Sequence, residues 1–100
     1  MLSAVGLKDP MVVPKIDRDS FNSVPIRNVT AASMTVLDRL QNFTPEVQVL
    51  ASAAVFLTLC ENLGTPAQEA FTTVKNVING AEGKRSEFLA LDAYVKGEIL

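Results

Sequence analysis

The sequence contains no histidine and no tryptophan, and it has a single cysteine. Without histidine, the chain lacks the side chain that most often serves as a general base or binds a transition metal near neutral pH. The lone Cys60 excludes an internal disulfide, and the nearby acidic Glu61 lies on a different face of any helix that contains both. We therefore interpret Cys60 as a buried apolar residue. These absences predict a protein that is not an enzyme and has no catalytic, cofactor-binding or metal-binding residues.

Clustered positive charge is also missing from the sequence. Nine Lys and Arg residues stand against eleven Asp and Glu residues, and residues 40–74 contain no basic residue. A protein that binds nucleic acid mainly through phosphates needs clustered basic side chains. We therefore expect no nucleic-acid partner, with one alternative left open. A helix-turn-helix module could be built from the segments on either side of Gly64, and its phosphate contacts would fall to Lys75, Lys84 and Arg85.

The sequence lacks both a membrane-spanning segment and a secretory signal pattern. Its longest charge-free run, from Val47 to Cys60, has fourteen residues. A transmembrane helix needs about 20 consecutive apolar residues. The first ten residues lack the basic start and the long apolar stretch of a signal peptide. We therefore expect no membrane partner and no export by a signal peptide.

The first 28 residues differ in character from the rest of the chain. Pro10, Pro14 and Pro25 interrupt them, and no helical or strand period is sustained. Apolar residues nevertheless recur along this segment, which is unusual for a free linker. We predict an extended, mostly non-helical N-terminal arm over residues 1–28, followed by a helical domain over residues 29–100.

The helical domain is predicted to be all-α, a small bundle of about four helices. A first helix is expected from about Ala31 to Gln41. The second begins at Thr44-Pro45-Glu46, because threonine suits the N-cap, proline the first helical position and glutamate the positive end of the helix dipole. It should end near Asn62, where Gly64 supplies a left-handed residue.

Two further helices follow in the C-terminal half of the sequence. Thr65-Pro66 repeats the start signal, and the apolar residues of the third helix recur at helical spacing until Gly80. A short connection leads to a fourth helix from about Lys84 or Ser86, with Phe88 and Leu91 on one apolar stripe.

The second predicted helix is apolar on nearly all sides, so we expect it to be the central, most buried helix of the bundle. The small residues Ala51, Ser52, Ala53 and Ala54 would let neighbouring backbones approach closely. The helix also presents more apolar surface than three short neighbours and an arm can readily cover. Part of this surface is therefore predicted to contact another subunit.

These patterns favour a non-enzymatic structural or assembly protein whose partners are protein subunits, either in a homo-oligomer or in a larger assembly. The alternative is a small regulatory module that binds a host protein or DNA. The candidate partner-binding residues are apolar and come from the arm, the second helix and the fourth helix: Val12, Val13, Ile16, Phe21, Val55, Phe56, Phe88, Leu91 and Val95.

Parts of the helical domain also resemble a known class of protein. The stretch from Thr44-Pro45-Glu46-Val47 to Leu59-Cys60-Glu61, with Glu82-Gly83-Lys84-Arg85-Ser86-Glu87-Phe88 and Asp92-Ala93-Tyr94, resembles small helical accessory proteins of tailed bacteriophages. The resemblance implies a virion component that docks onto larger subunits and uses its arm to add contact area. It implies no site residues. The expected location is accordingly cytoplasmic or virion-associated.

Overall fold

The computed structural model describes residues 18–100 and confirms the all-α class. Most of the predicted arm, including Val12, Val13 and Ile16, lies outside the described residues. Within residues 18–100 the only strands form a two-stranded antiparallel hairpin. In chain order the elements are α1 (Arg18–Asn22), α2 (Ile26–Leu40), α3 (Pro45–Asn62), α4 (Ala67–Ile78), β1 (Asn79–Gly80), β2 (Gly83–Lys84), α5 (Ser86–Tyr94) and a π-helical turn (Val95–Ile99).

The start of the helical region differs from the prediction. Residues 18–22 form α1, and α2 begins at Ile26, inside the segment that was expected to be an extended arm. Pro25 explains the difference, because it is extended (φ −64°, ψ 131°) and occupies the N-cap of α2. Its carbonyl accepts hydrogen bonds from the N–H groups of Asn28 and Val29 at 3.0 and 3.4 Å. Proline has no backbone N–H, but the first N–H groups of a helix have no acceptor within the helix. Pro25 can therefore stand at the start of α2 without interrupting it.

The predicted signals at both ends of α3 are confirmed. The side chain of Thr44 accepts a hydrogen bond from the N–H of Val47, and α3 runs from Pro45 to Asn62. Gly64 then adopts a left-handed conformation with φ +70°. This turn leads directly into α4.

The start of α4 does not repeat the arrangement at Thr44-Pro45. The helix begins at Ala67, so Pro66 rather than Thr65 occupies the N-cap, and no side chain caps this end. Thr65 is buried, and its hydroxyl has no hydrogen-bond partner among residues 18–100. Its N–H donates to the carbonyl of Cys60 at 2.9 Å, which closes the end of α3. Thr65 therefore forms a hydrogen bond at the end of α3 and does not cap the start of α4.

The buried residues of the described chain lie in its C-terminal half. Among the described residues, the buried apolar side chains are Cys60, Ala70 and Phe88. Helix α5 carries Phe88 and packs against α2, while α4 packs against α3 near the turn that joins them. The hydroxyl of Tyr94 on α5 donates to Asp38 Oδ1 on α2 at 3.1 Å. These contacts join α2 to α5 and α3 to α4.

The hairpin between α4 and α5 is held by its basic residues. The backbone N–H of Arg85 donates to the carbonyl of Ile78 at 2.9 Å, and Arg85 Nε donates to the carbonyl of Val77 at 2.8 Å. Lys84 Nζ lies 2.8 Å from Asp92 Oδ2. Both side chains therefore fix the entry into α5.

Helix α3 is not the buried, central helix that its composition predicted. Cys60 is its only buried residue, and Val49 and Leu50 are 68% and 70% exposed. The reason lies in the turn at Gly64, where the axes of α3 and α4 bend by 119°. Because α4 turns away, it covers only the last turns of α3, and α2 packs mainly against α5.

Candidate docking surface

An apolar groove separates the two helices of the α2–α3 hairpin. Its volume is about 890 Å³, and no charged side chain lines it within the part of the chain that the structure describes. One wall is formed by α2, the other by α3, and Leu91 of α5 contributes to the lining between them. The large apolar side chains of the two walls are Val29, Val36, Leu37 and Leu40 on α2, and Val55, Phe56 and Leu59 on α3.

The groove is open because the two helices are tied together mainly at one end. At the closed end, Gln48 Nε2 donates to the carbonyl of Leu40 at 2.9 Å. Two serines lie on the groove walls, and their hydroxyls donate within their own helices. Ser33 donates to Val29 and Ser52 donates to Gln48, each at 2.8 Å. The groove therefore offers apolar contact instead of free hydroxyl donors at these positions.

The side of α3 that points away from the groove is apolar as well. Leu50 and Leu57 lie outside the groove lining and are 70% and 55% exposed. At 100° per residue, both project roughly 160° to 180° away from the stripe formed by Val55 and Leu59. Helix α3 thus carries two uncovered apolar faces, one toward α2 and one away from the body.

The structure brings together three of the predicted partner-binding residues. Val55, Phe56 and Leu91 all line the groove. Phe21 is half-buried and lines a smaller pocket elsewhere, and Val95 is half-buried in the π-helical turn.

Phe88 does not fit its predicted role as a partner-binding residue. It is 5% exposed and belongs to the core of this chain, so it is not available to a partner. The apolar stripe of α5 faces α2 and thereby takes Phe88 inside.

The groove also contains residues that were not among the predicted partner-binding residues. Val36 and Leu40 of α2, together with Leu59 of α3, form much of its apolar lining. Their helical spacing was visible in the sequence, but such a stripe is also what a core-facing helix shows. Only the separation of α2 from α3 distinguishes a groove wall from a core.

The basic residues of the DNA-binding alternative are engaged within the chain. Lys84 pairs with Asp92, Arg85 binds the carbonyl of Val77, and Lys75 Nζ lies 5.6 Å from the ring centre of Phe71. The bend of 119° between α3 and α4 is close to the corner of a helix-turn-helix. The angle between the two helices therefore suits a helix-turn-helix. The three basic side chains that would bind phosphates instead contact groups within the chain.

Within the described part of the chain, two titratable groups have a shifted pKa, and both perform structural roles. The hydrogen bond from Lys84 lowers the pKa of the Asp92 carboxyl. Partial burial raises the pKa of the Tyr94 phenol, and its hydrogen bond to Asp38 adds to the effect. Among residues 18–100, no three His, Cys, Asp or Glu side chains are grouped as a metal site would require. The described surface is thus distinguished by its apolar areas.

Within the same residues, no single helix has the length and hydropathy to cross a membrane. Only α3 and α4 taken together meet those two criteria, and they are bent by 119° where they join.

No protein-family model matches the sequence, and no curated protein or solved structure resembles it significantly. The function is therefore inferred from the surfaces of the chain itself.

Proposed function

We propose that this protein is a non-enzymatic structural or assembly protein that docks through the apolar surfaces of α3 and the α2–α3 groove onto partner protein subunits. One observation carries the proposal. The longest charge-free run of the sequence folds into a regular helix, and ten of its fourteen residues stay exposed on the isolated chain, with only Cys60 buried. Large contiguous apolar areas on soluble proteins mark interaction sites.

The energetic scale of this exposure supports a docking role. Six Val and Leu side chains of α3 are between 45% and 70% exposed: Val47, Val49, Leu50, Val55, Leu57 and Leu59. Covering the exposed half of such a side chain is worth about 1 kcal/mol. The six together represent roughly 6 kcal/mol of gross burial, which is comparable with the whole stability of a small domain. Binding of a partner that covers α3 would therefore be stabilised by burial of apolar surface that folding of the chain leaves exposed.

The proposal extends to a location in a bacteriophage particle. A virion component of this size would add its exposed helix to the surfaces of larger subunits. The resemblance of residues 44–61, 82–88 and 92–94 to small phage accessory proteins supports this extension. Residues 1–17, which belong to the segment predicted as an arm with recurring apolar side chains, would then extend the contact.

The second candidate function is a regulatory module that binds duplex DNA through the corner formed by α3 and α4. The bend of 119° at Gly64 favours it. The charge distribution opposes it, because residues 40–74 lack Lys and Arg and Lys84 is paired with Asp92. Phosphate contacts would have to break that pair, so we place this function second.

The docking proposal is tested by combining sedimentation velocity with binding of an apolar fluorescent dye across a concentration series of the intact chain. We expect dye binding at low concentration, where α3 is uncovered, and reduced dye binding wherever the chain assembles and covers part of this helix. A Leu50→Lys, Leu57→Lys double variant should keep its circular dichroism spectrum and bind less dye. A chain that is monomeric throughout and binds no dye would contradict the proposal.

A further inference from the structure

We infer that the groove between α2 and α3 receives helix α3 of a second copy of this chain, and that the exchange is reciprocal. This inference rests on the proposed docking function and names the partner for one of the two apolar faces of α3. In such a dimer each α3 serves twice. It forms a wall of its own groove and fills the groove of the other copy.

The dimensions of the groove fit one helix. Its lining extends along α2 from Asn28 to Leu40, which is roughly 18 Å at 1.5 Å per residue. A helix about 11 Å across and about 18 Å long occupies roughly 1,700 Å³. The groove of about 890 Å³ therefore accommodates more than half of the cross-section of such a helix. A single extended side chain would leave most of it unfilled.

The charge pattern selects α3 as the helix that fits. A charged residue placed in this groove would lose its hydration without gaining a charged partner. Within the described residues, α2, α4 and α5 each carry both acidic and basic residues or at least two acidic residues inside the helix. Only α3 offers fourteen consecutive uncharged residues, which span about 21 Å and exceed the length of the groove.

The groove face of α3 also suits close contact between two copies of this helix. Ala51 and Ser52 line the groove beside Val55 and Leu59. Small side chains at a helix contact allow the two axes to approach closely, while the larger ones fill the space between them. A two-fold axis places the same residues on both sides, so an uncharged face that packs well on itself meets no like-charge repulsion.

The test uses two leucines of α3 that are equally exposed but point to opposite sides of the helix. Leu59 lines the groove and is 54% exposed, whereas Leu57 lies outside the groove lining and is 55% exposed. We compare Leu59→Lys with the control Leu57→Lys in the full chain, measuring molar mass by light scattering after size exclusion. Thermal unfolding followed by circular dichroism checks that both variants fold.

We expect the intact chain and Leu57→Lys to form dimers. We expect Leu59→Lys to weaken dimerisation at least about a hundredfold, because it buries an unpaired charge in each groove. If Leu59→Lys does not fold, Val36→Lys replaces it, since Val36 is 49% exposed and lines the opposite wall.

The alternative outcomes separate this inference from the docking proposal. Dimers that survive both Leu59→Lys and Val36→Lys would overturn the pairing while leaving assembly intact. Dimers disrupted only by Leu57→Lys would place the contact on the outer face of α3 and would likewise overturn the pairing. A monomeric intact chain that still binds the apolar dye would exclude a second copy and leave a different protein as the partner. A monomer without dye binding would overturn both proposals.

Discussion

Residues 60–99 and residues 19–59 use their apolar side chains in different ways. All four buried residues of the described chain, Cys60, Thr65, Ala70 and Phe88, fall in the first group. Residues 19–59 contain two long helices and no buried residue. The second group is no poorer in apolar residues, since it includes most of the run from Val47 to Cys60. Apolar composition alone therefore does not decide which helix enters the core.

The difference teaches that neither total hydrophobicity nor a one-sided apolar stripe by itself decides burial, since α2 also carries such a stripe and buries no residue. Helix α4 has a polar face and an apolar face, and it buries Ala70. Helix α3 is apolar on all sides, so a single neighbour cannot cover it. The axes of α3 and α4 bend by 119° at the turn around Gly64, so most of α3 stays uncovered by α4. The uncovered half of the molecule is the half that we expect to bind partners.

The largest expected effect contrasts the two regions through the same substitution. Phe88→Ala should destabilise the chain by about 3 to 4 kcal/mol, because it leaves a cavity in the core. Phe43→Ala should cost less than about 0.5 kcal/mol, since Phe43 is 55% exposed between α2 and α3. Urea unfolding at low protein concentration measures both values without a contribution from assembly. Similar losses in the two variants would show that residues 19–59 have a core of their own.

A smaller effect is expected at the turn that separates the two regions. Gly64→Ala should destabilise by about 1 to 2 kcal/mol, because Gly64 has φ +70° and L-residues with a side chain disfavour the left-handed region. Gly97→Ala is the matched control. A Cβ atom added at Gly97 would have no atom within 4 Å, and the φ of Gly97 is not positive. The free energy of unfolding should therefore rise by about 0.5 kcal/mol in this variant. Thermal unfolding midpoints that move in the same direction would contradict this account of the turn.

The smallest expected effect concerns acid stability in residues 60–99. The pKa of Asp92 is lowered in the folded chain by the hydrogen bond from Lys84. The pair therefore contributes stability above the ordinary titration range of aspartate, and the contribution is lost as the pH falls below about 4. Urea midpoints at pH 7 and pH 3 should differ less in Asp92→Asn than in the unchanged chain. Glu82→Gln provides the same change of charge in the hairpin turn, and an equal response from it would refute the role of Asp92.

The ends of α3 were the most predictable part of the fold. Thr44, Pro45 and Gly64 act through contacts with their immediate neighbours, so their meaning does not depend on the rest of the chain. The same reasoning was less successful at Pro25 and Thr65. Each stands beside a helix boundary, but which residue takes the N-cap depends on how the neighbouring chain is held.

The candidate docking surface was only partly predictable. Val55, Phe56 and Leu91, three of the predicted partner-binding residues, line one groove, whereas Phe88 lies in the core. These residues look alike in sequence, because the apolar stripe of a core helix and that of an interface helix follow the same spacing. Their separation depends on α5 closing against α2 while α3 remains apart.

The sequence by itself determined the helical class, the bounds of α3 and the absence of histidine chemistry. These properties arise from composition and from interactions between residues close together in the chain. The tertiary structure alone decided that the most apolar helix is exposed and that a groove opens beside it. The physical reason is directional: burial requires neighbouring elements on several sides, and α3 is contacted mainly near its two ends, by α2 at Gln48 and by α4 beyond the bend at Gly64.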